Sequence, residues 1–156
     1  MGFYKKTVSA YEKRVVEARK SGRVIATFTD FERYGIAAMF AALCDNGGFF
    51  GTLENLAKTD DLDAVRNAAD AFEYFGDLEI AALIRHGFLE FTYLKYVERR
   101  AHGLSKKLRK KAERLAEEII EAEWERFDEQ WDACDAWAVL DPVKKRIRGG
   151  GSLSRG

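Results

Sequence analysis

LCDNGGFFGTLENL, residues 43–56, sets two adjacent glycines and two adjacent phenylalanines behind a strongly apolar run. A phosphate-binding loop would need a strand ahead of the glycines and a Lys plus a hydroxyl after them, and the chain would then be α/β. The segment offers neither. The residues ahead of it, FERYGIAAMFAALCDN, repeat Phe31, Tyr34, Ala38, Phe40, Ala41 and Leu43 at helical spacing. Asn46 and Gly47 follow the last periodic residue and tolerate the positive φ at which helices stop. The stretch therefore predicts a corner between two helices, with Phe49 and Phe50 folding back onto the core. TLENLAK would begin a short helix with Thr52 near its cap.

The same logic extends in both directions. A first helix is expected over about 3–21, closed by Gly22 in the left-handed conformation. RVIATFT, residues 23–29, is β-branched but has no partner strand, and is expected to lead into the next helix. Thr29 or Asp30 caps that helix, with Glu32 at the capping-box position. Asp60 or Asp61 is expected to cap LDAVRNAADAFEYFG, whose Leu62, Val65, Ala69, Phe72 and Phe75 form one face and which Gly76 closes. Asp77 caps LEIAALIRHGFLEFTYLKYVERRAHG, which is nearly apolar all round at Ile80–Ile84 and so is expected to be the most buried helix.

Ser105 would cap a long charged helix over about 106–137, with Leu108, Leu115, Ile119, Trp124, Phe127 and Trp131 as its inward stripe. Asp141 and Pro142, the chain's single proline, read as an N-cap and first-turn pair opening a short last helix. The expectation is one all-α domain over 1–148, a bundle of about six helices with a long charged helix in its C-terminal half. The Gly/Ser-rich run 149–156 is expected to be a flexible tail.

A chain of 156 residues with 47% hydrophobic and 33% charged residues has enough apolar material for one core, and no apolar run reaches the roughly 18 to 20 residues that span a bilayer. The start, MGFYKKTVSAYEKR, has no apolar leader region, and Lys6 stands where a myristoylation signal needs Ser or Thr. A cytoplasmic location is the expectation. Cys44 and Cys134 form no metal or redox spacing and read as reduced small hydrophobes on helix faces.

Formal charge is zero, 26 basic against 26 acidic residues, but its distribution is uneven. Residues 45–90 hold ten acids (Asp45, Glu54, Asp60, Asp61, Asp63, Asp70, Glu73, Asp77, Glu79, Glu90) against three bases, residues 95–114 nine bases against two acids, and residues 117–135 nine acids against one base. The long helix is thus basic first and acidic second, the reverse of what helix ends favour. That order implies that its charges serve neighbours or partners.

No catalytic constellation is apparent. Neither His86 nor His102 has the Arg placed four to six residues ahead that would resemble the all-α ribonucleases of bacterial defence systems. Glu117 with Glu121, or Asp128 with Asp132, could bind a metal in a bundle, but the Glu-x-x-His pattern of di-iron bundles is missing. No nucleophile elbow is present. No enzyme, cofactor or metal is expected. The acidic face of Glu54, Asp60, Asp61, Asp63, Asp70, Glu73 and Asp77 is the first candidate for binding a protein partner. The alternative is nucleic-acid binding by the basic stretch 95–114, through Arg99, Arg100, Lys106, Lys107, Arg109, Lys110 and Lys111.

The corner Asn46-Gly47-Gly48-Phe49, in LCDNGGFFGTLEN, and the following AVRNAADAFEYFGDLEIAALI resemble a bacterial family of small all-α domains typified by a neisserial DNA mimic protein that binds a transcription factor. ERFDEQWDACDAW adds an acidic-aromatic segment like that family's. The resemblance covers residues 30–148 and implies a helical domain, often a homodimer, that acts by binding protein rather than by catalysis. A DNA mimic should be acidic overall, whereas this chain is neutral, so mimicry would rest on the local acidic face. Small bacterial and phage families of this kind also act as immunity, antitoxin or anti-defence inhibitors.

Overall fold

The computed structural model of the chain describes residues 2–22 and 27–150. Within these residues there are seven α-helices and no strand: α1 Phe3–Ser21, α2 Asp30–Gly47, α3 Phe49–Lys58, α4 Asp63–Tyr74, α5 Leu78–His102, α6 Lys106–Asp132 and α7 Ala136–Arg148. The all-α expectation holds. The number is seven rather than about six, and the long helix does not run to 137. It stops at Asp132, and the Asp135 carboxylate accepts the Ala138 N–H at 3.1 Å to start α7. Pro142 consequently lies inside α7, not at its first turn, and Asp141 caps nothing. Burial of Ala136, Leu140 and Val143 outweighs the one backbone hydrogen bond that Pro142 cannot donate.

The centre of the bundle is α2, against which α1, α3, α4 and α7 all pack. α2, not α5, is the most buried helix: Ala37, Ala38 and Ala41 are fully covered, and such small side chains let several helices approach at once. α1 crosses closest at Gly35, where a Cβ would lie 2.2 Å from the Thr7 carbonyl oxygen. At the Asn-Gly-Gly corner the chain bends by 112° into α3. Phe49 stacks on Phe127 at 5.7 Å and also meets Phe40, Phe50 and Trp131. The aromatic pairs that tie α3 to α6 are therefore those the corner delivers inward.

Several end signals act as the sequence predicts. Thr29 and Glu32 form a reciprocal capping box, Asp77 caps α5 through the Ile80 N–H at 2.9 Å, and Gly22 and Gly76 have positive φ. Others do not. Neither Asp60 nor Asp61 caps α4, which starts at Asp63 behind Leu62 without a side-chain cap. Ser105 sits at the start of α6 but its hydroxyl makes no capping bond. α3 begins at Phe49, so Thr52 lies within the helix and donates to the Gly48 carbonyl at 2.9 Å. Residues 23–26 of the β-branched stretch and 151–156 of the expected tail lie outside the described residues.

The expected inward stripe of α6 is only half right. Phe127 and Trp131 are buried and Trp124 half-buried, but Leu108, Leu115 and Ile119 are 60%, 51% and 51% exposed. The more covered apolar residues of this part of the helix are instead Ala112, Ala116 and Ile120. The last turns of α5 and the first of α6, joined by residues 103–105, thus form a thin two-helix arm in which 102–111 are all exposed.

Candidate functional site

The glycine corner holds no vacant anion site. The N–H groups of Phe49 and Phe50, free at the start of α3 in any helix, are both taken by Asp128 Oδ1, at 2.8 and 3.4 Å. Gly48 has φ +78°, and a Cβ there would fall 2.8 Å from Asp128 Oδ2. The carboxylate of α6 therefore occupies the place a phosphate would need. Asn46 and Gly47 are exposed and Phe49 buried. Beside the corner, Asp45 accepts the indole N–H of Trp131 at 3.3 Å and of Trp137 at 2.8 Å, locking α2 to α6 and α7.

The acidic residues of 54–79 do not form one open face. Asp61 pairs with Arg19 at 3.4 Å, Asp63 with Arg66 at 2.9 Å, and Asp70 and Glu73 both hold Arg85, at 2.8 and 3.1 Å. Asp77 is spent as a cap. Burial raises the Asp61 carboxyl pKa above its ordinary range despite Arg19. Glu54 points elsewhere, making a 2.6 Å ion pair with Lys95 of α5.

That pair marks one wall of a different feature. Glu54, Lys95, Glu98, Glu117, Ile120, Glu121, Trp124, Glu125, Asp128, Glu129 and Asp132 line a groove of about 760 Å³ between α3, α5 and α6. Eight carboxylates meet one ammonium. Burial alone would lower the Lys95 pKa, but its bonds to Glu54 and Glu98 outweigh that and hold it above the usual lysine range. Asp128 is committed to the α3 cap. Glu117, Glu121, Glu125, Glu129 and Asp132 are exposed, and their side-chain carboxylates make no hydrogen bond or ion pair with any described residue. An apolar pit lined by Phe50, Phe91, Leu94 and Trp124 adjoins the groove and shares its Glu54, Lys95 and Ile120.

The spacing that makes this row, 117, 121, 125 and 129 at successive steps of four, stands in the sequence. What could not be read there is that α3 and α5 would close the other wall. No group of three or more His, Cys, Asp or Glu side chains among the described residues is placed to hold a metal.

The basic residues Arg99, Arg100, Lys106, Lys107, Arg109, Lys110 and Lys111 converge at the end of the arm, all exposed. His102 there reaches Glu113 at 2.9 Å across the two helices. His86 is exposed, with its ring edge-on to Phe127 at 5.2 Å. Cys44 is buried in α2 with its thiol pKa pushed up to about 12, chiefly by desolvation. Cys134 lies half-buried in the turn before α7 rather than on a helix face, and is also free.

Comparison of the chain with protein-family models, with curated proteins and with solved structures gives no match.

Proposed function

We propose that the chain is a non-catalytic binding module whose α3–α5–α6 groove receives a basic surface of another protein. The observation that carries this is the row Glu117, Glu121, Glu125, Glu129 and Asp132, unpaired carboxylates along one groove with Ile120 and Trp124 between them. Each step of four residues rises about 6 Å along the helix, so the groove presents a regular line of negative charge beside an apolar floor. That is what a DNA-mimic-like or inhibitory protein needs, and it meets the need better than the 54–79 face, whose charges are largely neutralised internally. Complementary charge of this kind speeds encounter and sets specificity.

Calorimetric titration with an oligo-arginine peptide over a salt series tests the reading. Binding should be lost in Glu117→Lys/Glu121→Lys and kept in Asp60→Lys/Asp61→Lys/Asp63→Lys. The opposite pattern would put the site on the other face and end this reading.

A second reading rests on the convergence of Arg99 and Arg100 with Lys106–Lys111 from two helices at the arm's end. It assigns those residues to a nucleic-acid backbone and requires duplex binding that weakens steeply with salt. Unchanged duplex affinity in Lys107→Glu/Lys110→Glu would remove it.

A further inference from the structure

α6 carries a second pattern that neither reading uses. Leu108, Ala112, Leu115, Ile119 and Ala122 recur at steps of four, three, four and three, the seam spacing of a two-stranded coiled coil. The chain does not bury this seam: Leu108 is 60% exposed and Leu115 and Ile119 are each 51% exposed. Val97 of α5 and Leu104 of the connection widen it, lining with Ala112, Leu115 and Ile119 an open groove of about 550 Å³. At about 1.5 Å per residue the apolar strip is some 21 Å long.

Along the same helix the charge reverses. Lys106, Lys107, Arg109, Lys110, Lys111 and Arg114 come first, and Glu117, Glu118, Glu121, Glu123, Glu125, Asp128, Glu129 and Asp132 follow with Arg126 as the single base among them. A positive N-terminal end and a negative C-terminal end each set like charge against the helix's own pole, which is unfavourable within the helix. An order that is unfavourable within one helix becomes favourable against the same helix reversed.

We infer that the seam is covered by α6 of a second copy of this chain, running antiparallel. In the register that sets Leu115 against the partner's Ile119, Ala112 meets the partner's Ala122 and Leu108 meets the aliphatic stem of the partner's Arg126. The flanking positions then pair Lys111 with the partner's Glu125 and Arg109 with the partner's Glu123. Glu118 opposite the partner's Glu118, at the two-fold axis, is the one like-charged meeting. A parallel pair would instead lay the basic halves side by side and the acidic halves likewise. The occupant is a second copy rather than an unrelated helix because the strip's charge order is complementary to itself when inverted. This inference goes beyond the groove reading, since seam variants leave Glu117 and Glu121 in place.

Sedimentation and light scattering across a concentration series test it on the full chain. The wild type should reach twice the chain mass, and Leu115→Asn/Ile119→Asn should be monomeric with unchanged helical circular dichroism, both side chains being half exposed. Lys111→Glu should weaken the dimer on the order of tenfold, and Lys111→Glu/Glu125→Lys should recover it. In a Cys134→Ser background, Ala112→Cys/Ala122→Cys should give a disulfide-linked dimer on oxidation, and Ala112→Cys alone should not. A monomer at every concentration overturns the inference. So does a dimer that Leu115→Asn/Ile119→Asn leaves intact, or one that Ala112→Cys alone cross-links.

Discussion

Asp128 Oδ1 accepts the Phe49 N–H at 2.8 Å, so the cap of α3 is supplied by α6 from 79 residues further along the chain. Gly48, at φ +78°, brings the backbone close enough for that bond. Asp128→Ala is expected to cost about 1 to 2 kcal/mol, the upper range of a lost N-cap, and Asp128→Asn less, since an amide oxygen can still accept. Gly48→Ala should be at least as harmful, through the strained φ and the clash with the carboxylate. Urea unfolding followed by circular dichroism measures all three, and an Asp128→Ala midpoint equal to wild type would deny the cap its role.

Asp45 ties together two indoles from two helices. Trp131 is 3% exposed, so removing its acceptor leaves a buried donor unsatisfied, at a cost of about 1 to 3 kcal/mol. Asp45→Ala should therefore destabilise the chain and alter tryptophan emission, with Asp45→Asn intermediate. Unaltered emission and stability in Asp45→Ala would show that these bonds are not maintained in solution.

Gly87 makes room for Phe49: a Cβ at this position would lie 2.2 Å from Phe49 Cε1. Overpacking of this kind costs about 1 to 3 kcal/mol or more. Gly87→Ala should unfold at a lower urea concentration, and adding Phe49→Leu should recover part of the loss, so that the two changes are not additive. Strict additivity would place the strain elsewhere.

Cys44 and Tyr11 are both pushed up to about 12 by burial, from 9.0 and 10.0. Each folded-state value lies above the unfolded one, so the stability linked to each is fully present below the unfolded value and is lost as pH rises through about 12. Unfolding midpoints should be flat up to about pH 8 and fall progressively above pH 9. At about pH 8 a thiol reagent should modify Cys134 quickly and Cys44 only after denaturation. Equal rates for the two would mean that α2 opens readily.

The helices were legible because their periodicity is local, as are the Thr29–Glu32 box and the Asp77 cap. The break at Ala133–Asp135 was not, because Pro142 is the louder signal and only packing against α2 reveals that α7 starts earlier. α2's central place depends on alanines, which read as weak apolar residues until their smallness is seen to admit four neighbouring helices. The groove was half legible. Its α6 row has regular spacing, but Glu54 and Lys95 join it only through the fold. The 54–79 acids looked like one face because a sequence does not show that Arg85 sits between Asp70 and Glu73, or that Arg19 reaches Asp61.

The reversed charges of α6 also make the chain an electric dipole of zero net charge, and here side chains and backbone peptide dipoles add in the same direction. Such a molecule turns in an applied field although it does not migrate. Near neutrality it should be held by both anion and cation exchangers, through opposite ends. Two helices laid head to tail would cancel that moment.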